Sequence, residues 1–264
     1  MKGTVTLITL CDLLFILLLA ISGSMRGVGS DIIYYLAFIA PVLIALATSR
    51  ERGHRLSLGI KKGDVLPFIC SVPLALSLIV LFAYLTTLLM GAFGFENTKV
   101  IEGPLPMALL MHALIPSVLE EALFRYMPIR LMGDKSPRVT VLISALLFSL
   151  CHTNLFQIPY AFVGGVILCY VDLATGSILP SLIIHFLNNT LSVVTMLYPA
   201  LTLPVFITVG ALALVCALFL TLRHRVFVKY LSPLTAGDDE AFGYAPIALV
   251  AVSLLIAISN LVLI

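Results

Sequence analysis

The stretch MALLMHALIPSVL-EEALFR-YMPIRLM, residues 107–132, sets two carboxylates and a guanidinium inside an otherwise almost wholly apolar run. An ionisable group at the centre of a membrane-spanning helix costs at least about 2.5 kcal/mol. If the run crosses a bilayer, Glu120, Glu121 and Arg125 are there for a reason. The rest of the chain supports the bilayer reading. Of its 264 residues 61% are hydrophobic and 11% charged, against about 25% charged in soluble domains, and the mean hydropathy is +1.16.

A helix needs about 20 apolar residues to cross the hydrocarbon core. Runs of about that kind fall at 4–22, 31–49, 65–90, 105–130, 138–153, 156–173, 177–198, 201–222 and 246–264. The expected fold is all-α, a polytopic membrane helical bundle of about eight or nine transmembrane helices. Three blocks follow: N-terminal helices over 1–100, a core over 105–195 and C-terminal helices over 200–264. The first run begins with Lys2 and ends in the small residues AISGS, as a signal peptide does, but its length favours a retained anchor.

Loop cations give the orientation. A cytoplasmic N-terminus puts Lys2, Arg50, Arg52, Arg55, Lys61, Lys62, Arg130, Lys135, Arg138, Arg223, Arg225 and Lys229 inside, and only Arg26 and Lys99 outside. The longest non-apolar stretch, 223–245, is too short for a soluble core. A net charge of +2 without a basic tract argues against a nucleic-acid partner. The five cysteines form no C-x-x-C and read as small apolar residues.

Within EEALFR, Glu121 and Arg125 are spaced i, i+4 with the acid first, the favourable order for a helical ion pair. Glu120 lies about 100° around the helix and is left for another task. A structural ion-pair cluster of all three is the alternative for this helix alone. Two other runs carry polar groups. FSLCH, residues 148–152, pairs Phe148 with His152, and HFLNN, residues 185–189, pairs His185 with Asn189 on one face. Each alone reads as packing or as helix-to-helix hydrogen bonding.

Depth joins them. At 1.5 Å per residue, Glu120 lies about 15 Å from the inner end of its helix, His185 about 12 Å, Asn189 about 18 Å and His152 about 21 Å. All four fall in one layer, biased to the inner half of the membrane. Pro116 and Pro180 stand near this layer, and proline kinks a helix and frees backbone groups that need protein or water partners. Gly164-Gly165 suits close helix packing, and Thr175-Gly176-Ser177 a tight turn.

A carboxylate and an imidazole together hold and deprotonate water. A second imidazole and an amide donate to a developing oxyanion. The set therefore fits amide hydrolysis. The same donors suit zinc. H-E-x-x-H is absent, so a divalent metal held by Glu120, His152 and His185 stands as the alternative to metal-free water activation, the preferred reading. No G-x-S-x-G supplies a serine nucleophile. Asp12 and Asp172 lie in no aspartyl-protease motif, and Cys151 and His152, adjacent on a helix, should diverge.

EEALFR resembles the E-E-x-x-x-R motif of the CAAX protease and bacteriocin-processing (CPBP, Abi) family. FSLCH resembles its F-x-x-x-H and HFLNN its H-x-x-x-N/D, in the family's order over about residues 105–195. The resemblance implies an intramembrane endopeptidase acting on a membrane-associated peptide or protein, related to enzymes that trim prenylated CAAX proteins. It implies that Glu120 and His152 activate water, that His185 and Asn189 form the oxyanion site, and that Glu121 and Arg125 organise the core. The family has been described both as glutamate proteases and as metalloproteases. Compact length and minimal loops resemble its bacterial members, which implies a bacterial plasma membrane and peptide processing, not a prenylated substrate as such. Two other readings use the same residues: a non-catalytic bacteriocin-immunity or scaffold protein, and a small proton-coupled transporter.

Overall fold

A computed structural model describes residues 2–25, 28–48, 56–95, 100–132, 136–152 and 156–222. These residues are mostly helical and contain no β-strand, only an isolated bridge between Ser57 and Ser177. In chain order the helices are α1 (Lys2–Ser24), α2 (Val28–Thr48), α3 (Lys62–Ala92), α4 (Leu105–Leu131), α5 (Pro137–Cys151), α6 (Ile158–Thr175), α7 (Leu179–Leu197) and α8 (Thr202–Leu222). Seven contain a stretch long and apolar enough to cross a membrane, and α5, at 15 residues, is shorter. The fold is the expected all-α polytopic bundle. The candidate run at 246–264, the 223–245 stretch and most of the loop cations lie outside the described residues.

In lipid each backbone N–H and C=O must be satisfied within the protein, so continuous apolar runs settle as helices. Helices α1 and α2 form a hairpin whose end is tied by reciprocal bonds: the Ser22 hydroxyl donates to the Ser30 carbonyl and the Ser30 hydroxyl to the Ser22 carbonyl, both 2.9 Å. The hairpin packs Phe15 and Phe38 against Phe124 of α4, near Phe148 of α5. The Phe15 ring meets Phe38 at 4.8 Å and Phe124 at 5.6 Å, both edge-on. A second cluster joins Phe68 and Ile79 of α3 to Leu168 of α6 and Ile184 of α7. Helix α8 rests on α3, where the Ser77 hydroxyl donates to the Val209 carbonyl at 3.2 Å. Its exposed Leu203, Leu214 and Leu218 suit contact with lipid.

Helix α4 changes its winding twice. Leu110–Leu114 and Ala122–Tyr126 are π-helical turns, in which the Ile115 N–H reaches the Leu110 carbonyl and the Met127 N–H the Ala122 carbonyl. Both are followed by a proline at the second position of the next segment, Pro116 and Pro128. Proline has no N–H to give and crowds the carbonyl four residues back. A wider turn before it relieves that crowding. The kink expected at Pro116 is thus a π turn, and Pro128 makes a second. Between them, Ile115–Glu121 is a short α-helical platform that carries Ser117, Glu120 and Glu121.

Helices α5 and α6 touch through backbone. A Cβ on Gly165 would stand 2.8 Å from the Ala145 Cα. Gly176 ends α6 at φ +66°, the left-handed conformation glycine adopts freely, with its N–H on the Asp172 carbonyl at 2.8 Å. The segment before α3 clasps this turn. The Ser57 N–H donates to the Gly176 carbonyl at 2.9 Å, and the Ser57 carbonyl accepts from the Ile178 N–H and the Ser177 hydroxyl, both 3.0 Å. Buried Asp172 then caps α7, accepting from the Ser181 N–H at 3.1 Å and its hydroxyl at 2.7 Å. The start of α7, and with it His185, is fixed from both sides.

Candidate active site

The polar groups of α4, α5 and α7 meet in a line. Arg125 Nε lies 3.3 Å from Glu121 Oε2, and both side chains are fully buried. The contact is an ion pair rather than a hydrogen bond, since among the described residues the three guanidinium nitrogens have no hydrogen-bond partner. The rest of the cation is met by an aromatic face: the Arg125 Cζ sits 3.9 Å from the Phe148 ring centroid. Such a contact is worth about 2 kcal/mol or more when water is excluded.

The other oxygen of Glu121, Oε1, is 2.7 Å from His185 Nδ1. An ionised carboxylate only accepts, so Nδ1 carries the hydrogen. That turns His185 Nε2 toward Glu120, whose Oε2 is 3.6 Å away. The line runs Arg125, Glu121, His185, Glu120. Along it exposure rises from 0% at Arg125 and Glu121 to 5% at His185 and 15% at Glu120. Glu120 is the end that reaches open space.

His152 ends α5. Its Nδ1 lies 2.8 Å from the Phe148 carbonyl, which only accepts, so the hydrogen is on Nδ1 and Nε2 is the basic nitrogen. The Phe148 ring stands nearly perpendicular to both histidines, at 4.9 Å from His152 and 5.5 Å from His185, each at 85°. One ring therefore carries the guanidinium on its face and spaces two imidazoles. Asn189 is tied more loosely: its amide donates to the Ser117 hydroxyl at 3.4 Å, and that hydroxyl donates to the Ala113 carbonyl at 2.7 Å.

Glu120, His152, His185 and Asn189 line one cavity of about 260 Å³, walled by Phe15, Tyr34 and Phe38 of the α1–α2 hairpin. A second lobe of about 250 Å³ extends from it between α3, α6 and α7 and shares His152, His185 and Asn189. Residues on three helices, and far apart in sequence, thus open onto common space large enough for several waters.

Three details differ from the sequence reading. Glu121 pairs with Arg125 as its spacing requires, but also holds His185. His185 sits between two carboxylates rather than on the amide side alone. Cys151 does not diverge from His152: both reach back to the Phe148 carbonyl, which leaves Sγ 3.5 Å from His152 Nδ1. That nitrogen bears the hydrogen, so the pair is not a thiol with its base. Sequence reasoning also passed over three lining or supporting residues, His112, Ser117 and Gln157. His112, Pro116 and Glu120 follow one another at i, i+4, i+8, and that spacing was the available signal for His112.

As a metal site the set does not fit as it stands. Among the described residues no group of three or more His, Cys, Asp or Glu side chains is arranged to hold a metal ion. Glu120, His152 and His185 share the cavity, with Glu120 Oε2 3.6 Å from His185 Nε2.

Residues 102–191 match a family model described as Rce1-like, type II CAAX prenyl endopeptidase Rce1-like. No curated protein and no solved structure matches the chain. The three motifs, in order on apolar helices, lie within the matched residues, and over these residues the chain is similar to that family of membrane peptidases.

Proposed function

We propose that this chain is an intramembrane endopeptidase that cuts a membrane-associated peptide with a water activated by Glu120 and His152, without a metal. The observation that carries the reading is the cavity in which Glu120 is the one carboxylate among the lining residues, beside His152, His185 and Asn189. Water held between the Glu120 carboxylate and His152 Nε2 gives its proton to Glu120 as its oxygen attacks the peptide carbonyl carbon. The Asn189 amide and His185 Nε2–H donate to the oxyanion that forms. His185 acquires that proton from Glu120 across the 3.6 Å gap, and Glu121 answers the resulting charge at Nδ1. When the C–N bond breaks, the proton passes on to the leaving amine. Arg125 neutralises Glu121, and Phe148 keeps the two imidazoles apart. We place the N-terminus in the cytoplasm of a bacterium and the centre in the inner half of its plasma membrane, from the asymmetry of the loop cations.

The test is cleavage of candidate membrane peptides by the purified protein in liposomes. Glu120→Gln and His152→Ala are each expected to slow cleavage by at least about 100-fold with thermal unfolding unchanged. A chelator is expected to leave the wild-type rate as it was. Cleavage that persists in Glu120→Gln removes Glu120 as the base. Loss on chelation, restored by zinc, removes the metal-free mechanism. Proton flux coupled to substrate movement, without cleavage, transfers the same residues to a transporter.

A further inference from the structure

The seam between α3 and α8 holds two thiols that the polar centre does not use. The two helices run in opposite directions. Tyr84 and Thr87 of α3 share a lobe of about 340 Å³ with Thr202 and Phe206 of α8, and beyond it the Ser77 hydroxyl meets the Val209 carbonyl at 3.2 Å. As the numbers fall along α3, from Thr87 to Ser77, they rise along α8, from Thr202 to Val209.

Cys70 stands seven residues before Ser77, and Cys216 seven after Val209. Seven residues bring a helix back to the same face within about 20°, about 10 Å along its axis. The register set by the Ser77–Val209 bond therefore puts Cys70 opposite Cys216. The side chains agree: the Cys70 thiol has the Cys216 thiol as its hydrogen-bonding neighbour. Cys70 is buried, Cys216 is half-buried, and both are free thiols.

Packing alone does not ask for this pairing, since a cysteine used as a small apolar residue needs no second thiol. Cys11 and Cys151 give theirs to backbone carbonyls, of Pro41 at 3.5 Å and of Phe148 at 2.9 Å. The spacing of packed helices also suits a covalent bond. Their axes lie about 8–10 Å apart, and Cα atoms stand about 2.3 Å off the axis. Facing Cα atoms are then about 3.5–5.5 Å apart, and those turned slightly aside are further. A disulfide spans about 4.4–6.8 Å between Cα atoms.

Both thiols lie at one depth. Cys70 is eight residues inside the start of α3 and Cys216 six before the end of α8, about 12 Å and 9 Å from the same end of the bundle. Leu214 and Leu218, which flank Cys216 in sequence, are exposed and suit contact with lipid. The water-soluble systems that keep cytoplasmic thiols reduced do not reach a seam covered by lipid. An oxidant that reaches it must itself dissolve in the membrane.

We propose that Cys70 and Cys216 form a redox modification site, which a lipid-soluble quinone converts to a disulfide that staples α8 to α3. Both S–H bonds break and one S–S bond forms. The two protons and two electrons reduce the quinone to its hydroquinone. The assignment stands apart from the endopeptidase reading and does not rest on it.

The experiment treats the full-length protein in liposomes with a fully substituted benzoquinone, which leaves no ring position for a thiol to add to. Thiols are then counted in the denatured protein with a mass-tagged maleimide, and linked peptides are mapped by mass spectrometry. Labelled thiols should fall from the chain's five to three, the disulfide taking two. Cys70 and Cys216 should lie in one linked fragment, two hydrogens lighter than its separate parts. Cys70→Ser and Cys216→Ser should each keep every remaining thiol under the same treatment. The oxidised wild type should unfold at a higher temperature than the reduced form, because a cross-link restricts the unfolded chain, and neither variant should show that rise. Five labels after the quinone, linkage of a different pair, or a loss of labels that persists in either serine variant overturns the proposal. The linkage is mapped on the wild-type chain, so it decides the matter even if a variant folds poorly.

Discussion

Phe148 does more at the residue scale than its apolar side chain suggests. Its ring is the floor for Arg125 and the spacer for His152 and His185, and its carbonyl fixes the His152 tautomer. In the proposed mechanism the chemistry of Glu120 therefore depends on groups that do not touch substrate. The buried Glu121–Arg125 pair shows how strongly. Removing one partner of such a pair leaves a charge stranded, which costs about 3–5 kcal/mol. Arg125→Met should lower stability by about that amount, and Glu121→Gln with Arg125→Met should recover most of it, since neither then carries a charge. Equilibrium unfolding in mixed micelles measures both. The double variant should still lose cleavage by at least about ten-fold, because nothing answers the charge on His185 at Nδ1. Much of this was legible beforehand. The i, i+4 spacing of Glu121 and Arg125 gave their pairing, and helical depth gave the common layer of Glu120, His152, His185 and Asn189. The Glu121–His185 bond was not legible. It spans 64 residues and depends on the relative rotation of α4 and α7, which no local pattern encodes.

Among the helices, two features set the rotation and spacing that the site needs. The π turns of α4 adjust which way Glu120 and Glu121 face, and the prolines behind them were visible in the sequence only as kinks. Periodicity assumes one winding per helix, so it cannot report a turn that changes winding. The close approach of α5 and α6 at Gly165 was better signalled, because a glycine pair in a spanning run has few other uses. Gly165→Ala should destabilise the bundle by about 1–3 kcal/mol, read as earlier thermal unfolding in detergent. The added methyl would meet the Ala145 Cα itself at 2.8 Å. Ala145→Gly, which removes only a Cβ, should therefore fail to restore the loss. Full rescue would mean that the helices separate more easily than a backbone contact allows.

On the scale of the whole molecule, the α1–α2 hairpin and the core helices close one cavity together. The aromatic wall of that cavity comes from helices outside residues 102–191. The run of spans was plain from length and hydropathy. Their arrangement was not, because apolar helices in lipid look alike until small residues and polar contacts choose neighbours. The turn after α6 is one such choice. Gly176→Ala should cost about 1–2 kcal/mol, the penalty of a left-handed L-residue. It should also raise hydrogen exchange at the Ile178 amide, which bonds Ser57, more than at amides within α5. Uniform exchange changes would mean that the turn holds without its clasp.

That clasp also has a history in time. Ser57 and Ser177 are separated by 120 residues of chain, so during synthesis the first waits while four further helices, α3 to α6, are made. Until the second arrives, the start of α7 has no anchor and His185 no fixed address. The order of manufacture thus leaves the polar cavity open until α7 is made, and a half-made chain carries Glu120 without His185 beside it.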